Sequence, residues 1–264
     1  MSLIHHARRL DRLYRLYNSL DYLSPDPLEL VRRYRDDDDR EVAGLVAASL
    51  AYGRVKQINR NVEAVLGRLG DHPARRLEEL GEGQLPGLML GIRHRFASAA
   101  QIAGLLLAAA RIRREFGSLG GCFGECWATT GQAQPALGRF VGRLKAAAGV
   151  DLGHLLAEPS RGSACKRLWL YLRWMVRRDE VDLGCWRGAG LTPAMLLVPL
   201  DVHMHRICRH LGATNRPQPD WRAAAEATQA FAGIRPDDPV RYDFVLTRLG
   251  IHPELRRLGL AGLQ

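Results

Sequence analysis

The sequence has few cysteines, and they are not arranged as a metal site or a disulfide framework requires. The five cysteines are odd in number and contain no C-x-x-C pair: Cys122, Cys126, Cys165, Cys185 and Cys208. A zinc ribbon or a disulfide scaffold needs closely spaced, paired cysteines. We therefore expect reduced thiols in an intracellular protein, with no metal and no cofactor.

Long hydrophobic runs and alternating strand patterns are also lacking. Residues 1–20 have no continuous apolar core of the kind that a signal peptide carries. The longest apolar runs, such as 102–110, are too short to span a bilayer. Apolar residues recur at helical rather than alternating spacing. We therefore predict an all-α, soluble, cytoplasmic protein that does not bind a membrane.

Acidic residues are outnumbered by basic ones. The chain of 264 residues has 38 Lys and Arg against 28 Asp and Glu, a formal net charge of +10. Such an excess favours polyanionic partners, because each neutralised phosphate releases condensed counterions. A role of the charge in solubility alone is the other interpretation. The charge therefore makes nucleic acid a candidate partner, but it does not distinguish nucleic-acid binding from a role in solubility.

The longest periodic segment, residues 40–69, is predicted to be one helix that Gly70 ends and that the acidic run 36–39 caps. The first half of this segment is rich in small and branched apolar residues, as is typical of a buried helix. Its middle turns polar and is expected to face a cleft with Arg54, Lys56 and Gln57.

The rest of the chain shows repeated helix start and stop signals. The glycine-rich residues 117–131 are predicted to be a surface loop. Ser163 is predicted to cap a helix over 164–178. Further helices are expected to start near Asp71, Asp201, Asp220 and Asp238.

The stretch 160–212 concentrates the residues that can carry chemistry. Six Lys or Arg residues and no Asp or Glu lie between Arg161 and Arg178. On the helix over 164–178, a basic stripe at helical spacing comprises Lys166, Leu170, Arg173 and Arg177.

Lys166 falls in the first turn of that predicted helix. The positive end of a helix opposes a lysine charge and favours the neutral amine. A neutral amine is what an imine-forming nucleophile requires. A solvated basic stripe that happens to begin with a lysine is the other interpretation.

Asp201 is predicted to cap the helix that contains HMHRICRHLG. A capping carboxylate is held rigidly and can also stabilise a developing cation. His203, Arg206 and His210 share one side of this helix, which is a candidate phosphate-contacting surface. His203 and His205 point in different directions on a helix, so a metal site is not expected.

At these residues the sequence resembles known families. PLDVHMHRICRHLG at 199–212 is similar to the P-V-D-x-H segment of the helix-hairpin-helix DNA glycosylase superfamily, in which the aspartate is catalytic. CKRLWLYLRWM at 165–175 resembles the archaeal 8-oxoguanine DNA glycosylase branch, which has a lysine nucleophile and a second basic residue seven positions later. A bacterial family of unassigned function shares LAYGRV at 50–55, CKRLWLYLRWMVR at 165–177, PLDVH at 199–203 and DPVRYDF at 238–244.

The resemblance implies a two-lobed, glycosylase-like helical fold formed by residues 1–264 as a single unit. Residues 41–199 would form the middle lobe, and 1–40 with 200–264 the second, with the active cleft between them. The glycine-rich hairpin of most glycosylases is absent. So are the four carboxy-terminal cysteines that hold an iron–sulfur cluster in some glycosylases.

The resemblance implies that the protein is a DNA repair glycosylase that also has abasic-site lyase activity. Lys166 would be its imine-forming nucleophile and Asp201 its catalytic carboxylate. The expected partner is double-stranded DNA with a damaged base, such as 8-oxoguanine, or an abasic site. We expect a monomer associated with the nucleoid. DNA contacts are expected from Arg54, Lys56, Gln57, Arg167, Arg173, His203 and Arg206, and a base pocket from Tyr52, Trp169 and Trp174, which are also suited to packing.

Two rival functions remain open at this point. One is a structure-dependent DNA- or RNA-binding protein that keeps the fold without catalysis; it predicts salt-dependent binding and no base release. The other is a metal-dependent phosphoesterase that uses Asp201 and the neighbouring histidines, which predicts sensitivity to chelators.

Overall fold

The computed structural model describes residues 3–159, 162–252 and Leu255. The described residues are helical, with short 3-10 turns and isolated bridges but no strand, which confirms the all-α prediction. None of their helices is long and apolar enough to cross a membrane. The α helices are α1 Ala7–Tyr17, α2 Leu28–Val31, α3 Asp37–Ser49, α4 Val55–Leu69, α5 Pro73–Glu79, α6 Leu85–Leu88, α7 Ala99–Phe116, α8 Leu119–Thr130, α9 Ala133–Ala147, α10 Lys166–Val176, α11 Val202–His210, α12 Trp221–Ala232 and α13 Asp243–Ile251.

Contacts divide the chain into two compact units. One comprises the described parts of Met1–Ser24, Pro159–Leu183 and Thr192–Gln264, here called the terminal unit. The other, the middle unit, comprises Pro25–Glu158 and Gly184–Leu191. The boundaries differ from those expected at 40/41 and 199/200, because α10 groups with α1 and α11–α13. Salt bridges from α10 to aspartates of the terminal unit account for this grouping.

The middle unit is organised around the buried helix α3. Asp36 caps it by accepting a hydrogen bond from the Asp38 N–H at 2.8 Å, as the acidic run predicted. Glu41 is 1% exposed, and its carboxylate accepts from Arg113 Nη1 at 2.6 Å and from Trp186 Nε1 at 2.6 Å. Buried charges are stable only when they are paired and hydrogen-bonded in this way.

The prediction of a single helix over 40–69 is wrong, because this segment forms two helices. α3 ends at Ser49 and α4 begins at Val55. Between them Gly53 adopts φ 102°, a conformation that residues with a Cβ rarely accept. The break was hidden because apolar residues continue at helical spacing through it.

The predicted surface loop over 117–131 is also wrong, because most of it forms α8. Ser118 caps this helix by accepting from the Gly121 N–H at 2.8 Å. A Cβ on Gly120 would lie 2.6 Å from Cγ of Trp186, and one on Gly124 would lie 3.0 Å from the Ala189 carbonyl oxygen. Gly120 and Gly124 therefore allow close packing, whereas Gly117 and Gly131, with φ 76° and 63°, lie at helix ends.

In the terminal unit, the two arginines of the predicted stripe, Arg173 and Arg177, are buried in an ion-pair network. Arg173 is 2% exposed and pairs with Asp182 and Asp243. Arg177 is 3% exposed. Its carboxylate partners are Asp179, Asp182 and Asp238.

Two helix starts in this unit differ from their predictions. α10 begins at Lys166 rather than at 164, because Cys165 adopts φ 46°. Ser163 does not cap it; its hydroxyl accepts from the Cys165 N–H at 3.1 Å. The helix expected from Asp238 begins only at Asp243, since Asp238 is occupied as a partner of Arg177.

Candidate active site

Lys166 and Asp201 lie side by side in the terminal unit. Lys166 Nζ is 3.6 Å from Asp201 Oδ2, and the two side chains are 29% and 33% exposed. Each stands at the start of a helix, Lys166 as the first residue of α10 and Asp201 as the N-cap of α11. An amine and a carboxylate that are distant in sequence thus share one partly solvated position.

The carboxylate of Asp201 is held by its role as a cap. Its Oδ1 accepts a hydrogen bond from the Met204 N–H at 2.7 Å, which leaves Oδ2 facing the lysine. The preceding residues are anchored too, because the Val198 N–H donates to Thr228 Oγ1 at 2.9 Å. The predicted capping role of Asp201 is confirmed, and it fixes the geometry of the pair.

Asp243 is a candidate site residue that the sequence analysis missed. It is 3% exposed; one carboxylate oxygen pairs with Arg173, and the other, Oδ1, has no hydrogen-bond partner. Burial raises the pKa of Asp243 to about 6, against the opposing charges of Arg173 and Lys166, and Asp201 raises it further. A buried carboxyl group whose pKa is strongly raised, with several charges acting on it, marks a candidate functional site. The available signal was its place in DPVRYDF at 238–244.

Removing the charge of Asp243 is expected to change how stability depends on pH. Because its folded-state pKa is raised from 3.8, the folded protein binds more protons than the unfolded chain between pH 4 and 6. The free energy of unfolding therefore loses up to about 1.4 kcal/mol per pH unit from this group as pH rises through that window. Charges of Arg173, Lys166, Asp201 and Asp182 act on it.

Urea unfolding of wild type and Asp243→Asn at pH 4, 5, 6 and 7 tests this. The variant should gain stability relative to wild type as pH rises from 4 to 6. Parallel curves over that range would contradict the buried, titrating carboxyl group.

Three residues predicted to touch DNA are in the core instead. Arg173 is wrong as a phosphate contact, because it is 2% exposed and neutralised by two carboxylates. Trp169 and Trp174 are wrong as base-pocket residues, because they are 2% and 0% exposed. Their rings are packed in the protein interior, the alternative that the sequence analysis left open for them.

The remaining predictions on α10 and α11 have different environments. Arg167 is half-buried and Arg206 is exposed. His203 is half-buried, and its Nε2 is shielded from solvent without a hydrogen-bond partner. Burial lowers the pKa of His203 below its ordinary value. The shielded Nε2 is unsuited to the phosphate contact predicted for His203, whereas Arg206 keeps an accessible charge.

His203 packs against Gly250 of α13, and this contact yields a prediction. A Cβ on Gly250 would lie 1.8 Å from His203 Nε2. Gly250→Ala must therefore displace the imidazole, which is expected to cost about 1–3 kcal/mol of stability. Gly142→Ala on α9 is the control, because no atom approaches its Cβ position and the change should be neutral or stabilising. Equal urea midpoints for the two variants would contradict the contact.

The other predicted contacts belong to the middle unit. Arg54, Lys56 and Gln57 are exposed at the start of α4. Tyr52 is half-buried; its hydroxyl donates to the His94 carbonyl oxygen at 3.0 Å. These residues therefore belong to a different unit from Lys166 and Asp201.

The cysteines and acidic residues offer no evident metal site within the described ranges. No three His, Cys, Asp or Glu side chains converge there to hold an ion. All five cysteines are free, and burial raises the pKa of Cys208, with Asp243 and Asp201 adding to the effect.

Comparison with known proteins gives one family. The sequence model described as Protein of unknown function (DUF2400) matches residues 26–252. No curated protein and no solved structure matches the chain. The matched range contains Lys166, Asp201 and Asp243, so these residues lie in the part of the chain that the family shares. This chain belongs to the DUF2400 family.

Proposed function

We propose that this protein is a DNA glycosylase with abasic-site lyase activity, built on a helical fold like that of the helix-hairpin-helix glycosylases. The observation that carries the proposal is the Lys166–Asp201 pair, with 3.6 Å between Nζ and Oδ2 at two helix starts. Their sequence contexts, CKRLWLYLRWM and PLDVH, are those that resemble the glycosylases. Partial exposure leaves room for a substrate to reach the amine.

Lys166 is the nucleophile in this mechanism. Its neutral amine attacks C1′ of the sugar, the glycosidic bond breaks, and the base leaves with the electron pair and takes up a proton. Opening of the sugar ring leaves a protonated imine between Nζ and C1′. Loss of a C2′ proton then expels the 3′ phosphate oxygen, and water hydrolyses the imine.

Asp201 serves the same reaction through its charge. Its Oδ2 can accept the proton that the Lys166 ammonium must lose before attack. Once that proton has passed to the leaving base, Asp201 is again a carboxylate, and its charge stabilises the cation that develops at C1′ and on the imine nitrogen. Because Oδ1 remains engaged by the Met204 N–H, Asp201 performs both roles without reorganising.

DNA is the partner that fits both the chemistry and the charge. Chemistry on a paired base requires the nucleotide to leave the stack, and the net charge of +10 favours the phosphate backbone. Arg167 and Arg206 flank the site in sequence, and Arg54, Lys56 and Gln57 are exposed in the middle unit. With DNA as substrate, the protein would be found on the nucleoid.

Base release from defined lesions tests the proposed activity. Duplexes that carry 8-oxoguanine, uracil or an abasic site are incubated with the protein, and free base and strand cleavage are measured. Cleavage at the abasic site together with release of one base, 8-oxoguanine first among the candidates, is expected. An intact abasic strand after long incubation would overturn the lyase activity.

A non-catalytic nucleic-acid-binding protein is the second candidate. The favouring observation is that Lys166 and Asp201 already form an ion pair, which a structural role would also explain. This candidate predicts salt-dependent binding that Lys166→Gln leaves unchanged, with no base release on any duplex.

A further inference from the structure

A rigid turn in the middle unit presents an exposed arginine and an exposed aromatic ring. In the turn 94–97, the His94 N–H donates to the Ala97 carbonyl oxygen at 3.0 Å and the Ala97 N–H donates to that of His94 at 2.8 Å. Between them Arg95 is exposed, and Phe96 is 68% exposed. The ring of Phe96 is therefore accessible to a ligand.

The base of this turn is fixed by buried hydrogen bonds. His94 is fully buried, at 0% exposure. Its Nε2 is 3.0 Å from the Tyr52 carbonyl oxygen, and its Nδ1 is 2.8 Å from Nδ2 of Asn61. The Nε2–H tautomer satisfies both contacts, since Asn61 Nδ2 donates to Nδ1. Contacts of His94 with Tyr52 and Asn61, which lie outside the turn, therefore fix the position of Arg95 and Phe96 at its tip.

Arg95 adopts φ 52°, which is uncommon for an arginine. Its side chain lies against Gly53, where a Cβ would be 2.9 Å from both Cδ and Nη1 of Arg95. Gly53 is the glycine of LAYGRV at 50–55, and it makes room for this arginine. Backbone strain that the surroundings maintain is a reason to look for a function.

The guanidinium and three rings form a cluster that we call the aromatic platform: Tyr52, Arg95, Phe96 and His154. The Arg95 guanidinium carbon is 5.4 Å from the centre of the Phe96 ring and 6.0 Å from that of Tyr52. His154 meets the Tyr52 and Phe96 rings edge-on at 4.9 and 5.7 Å. Preorganised rings with a planar cation are what a nucleobase stacks on.

The charge around the aromatic platform also fits a strand of nucleic acid. Residues 42–62 and 83–114, which supply three of its four members, contain no Asp or Glu. The cations Arg54, Lys56 and Arg93 in these segments are exposed. Stacking on aromatic rings beside a basic track is how single strands are bound without sequence preference.

We propose that the aromatic platform binds an unpaired base of single-stranded DNA, with Phe96 stacking on the base and Arg95 completing the surface. The inference rests on DNA as the partner in the proposed function, but not on the chemistry of Lys166. The sites are tested separately, because binding to the platform requires no covalent step.

The test is the affinity for a fluorescently labelled single-stranded oligonucleotide, with 2-aminopurine in the strand as a reporter of stacking. Phe96→Ala is expected to weaken binding about 5- to 100-fold and to remove the 2-aminopurine signal. Phe96→Trp should restore both. Leu90→Ala is the matched control, because Leu90 is 74% exposed but lies outside the platform, and it should bind like wild type.

The outcomes separate the two proposals. The proposed binding site would be overturned if Phe96→Ala and Leu90→Ala bound the single strand with equal affinity. It would also be overturned if Phe96→Ala weakened binding to fully paired duplex by the same factor, or if the wild-type protein bound single-stranded RNA more tightly than single-stranded DNA. Lys166→Gln should bind the single strand like wild type. If the aromatic platform binds single-stranded DNA but the protein cleaves no abasic site, this inference stands and the proposed glycosylase function is rejected.

Discussion

Lys166→Gln is expected to lower abasic-strand cleavage by roughly three orders of magnitude or more, because the nucleophilic nitrogen is lost. Folding should survive. The side chain is 29% exposed, and its ion pair with Asp201 is of the half-solvated kind that contributes less than about 1 kcal/mol. DNA affinity should also remain close to that of wild type. Single-turnover cleavage, thermal unfolding and equilibrium binding measure the three properties.

The chain offers two matched controls for this substitution. Only three lysines occur in the sequence: Lys56, Lys145 and Lys166. Lys145 pairs with Glu158 and Lys56 is exposed on α4, so at saturating DNA Lys145→Gln and Lys56→Gln should both keep the single-turnover cleavage rate of wild type, and Lys56→Gln should only weaken binding. Unfolded Lys166→Gln would instead assign a structural role to Lys166.

Arg173→Met is expected to destabilise the protein by about 3–5 kcal/mol, the largest stability effect that the structure predicts. The substitution keeps most of the apolar volume but leaves the carboxylates of Asp182 and Asp243 without this partner, at 1% and 3% exposure. Uncompensated buried charge is far more costly than the loss of a surface pair. Urea denaturation near pH 7 measures the difference.

Two companion variants show whether buried charge is the cause. Arg178→Met removes an exposed arginine nearby in sequence and should change stability by less than about 0.5 kcal/mol. The double variant Arg173→Met with Asp243→Asn should recover part of the loss, since the buried charge of Asp243 is gone, whereas Asp182 keeps its ion pair with Arg177. If Arg173→Met costs no more than Arg178→Met, the network is not a stabilising core.

The network explains why the sequence misled on Arg173. Residues 161–178 contain only basic charges, so helical spacing alone indicates a solvated or DNA-facing stripe. The neutralising carboxylates come from 179–182 and from the distant Asp238 and Asp243. Pairing between distant segments has no periodic signature, so only the fold reveals it.

Local signals were more reliable. An aspartate before an apolar-periodic segment predicted the cap at Asp201, because capping depends on residues within one turn. Glycine was ambiguous for a physical reason: at Gly53 it permits a positive φ, whereas at Gly120 it makes room for Trp186. The sequence shows the residue in both cases but not the neighbour that requires it.

The proximity of Lys166 to Asp201 could not be derived from spacing. It was expected only from the resemblance of CKRLWLYLRWM and PLDVH to glycosylase segments. Asp243 was missed because its helix was predicted to begin at Asp238. Asp243 pairs with Arg173 of α10 and Asp238 with Arg177, the residue that follows α10, and these pairings between distant segments have no signal in the sequence.

Borohydride trapping on a duplex with a single abasic site tests the central claim most directly. Borohydride reduces the imine to a stable amine, so protein and DNA become covalently joined wherever the attacking nitrogen lies. Mass spectrometry of the digested cross-link then identifies that nitrogen among the three lysines and the amino terminus. The mechanism predicts the deoxyribose adduct on Lys166 and no cross-link with Lys166→Gln. An adduct on Lys56, or tight binding with no adduct at all, would contradict it.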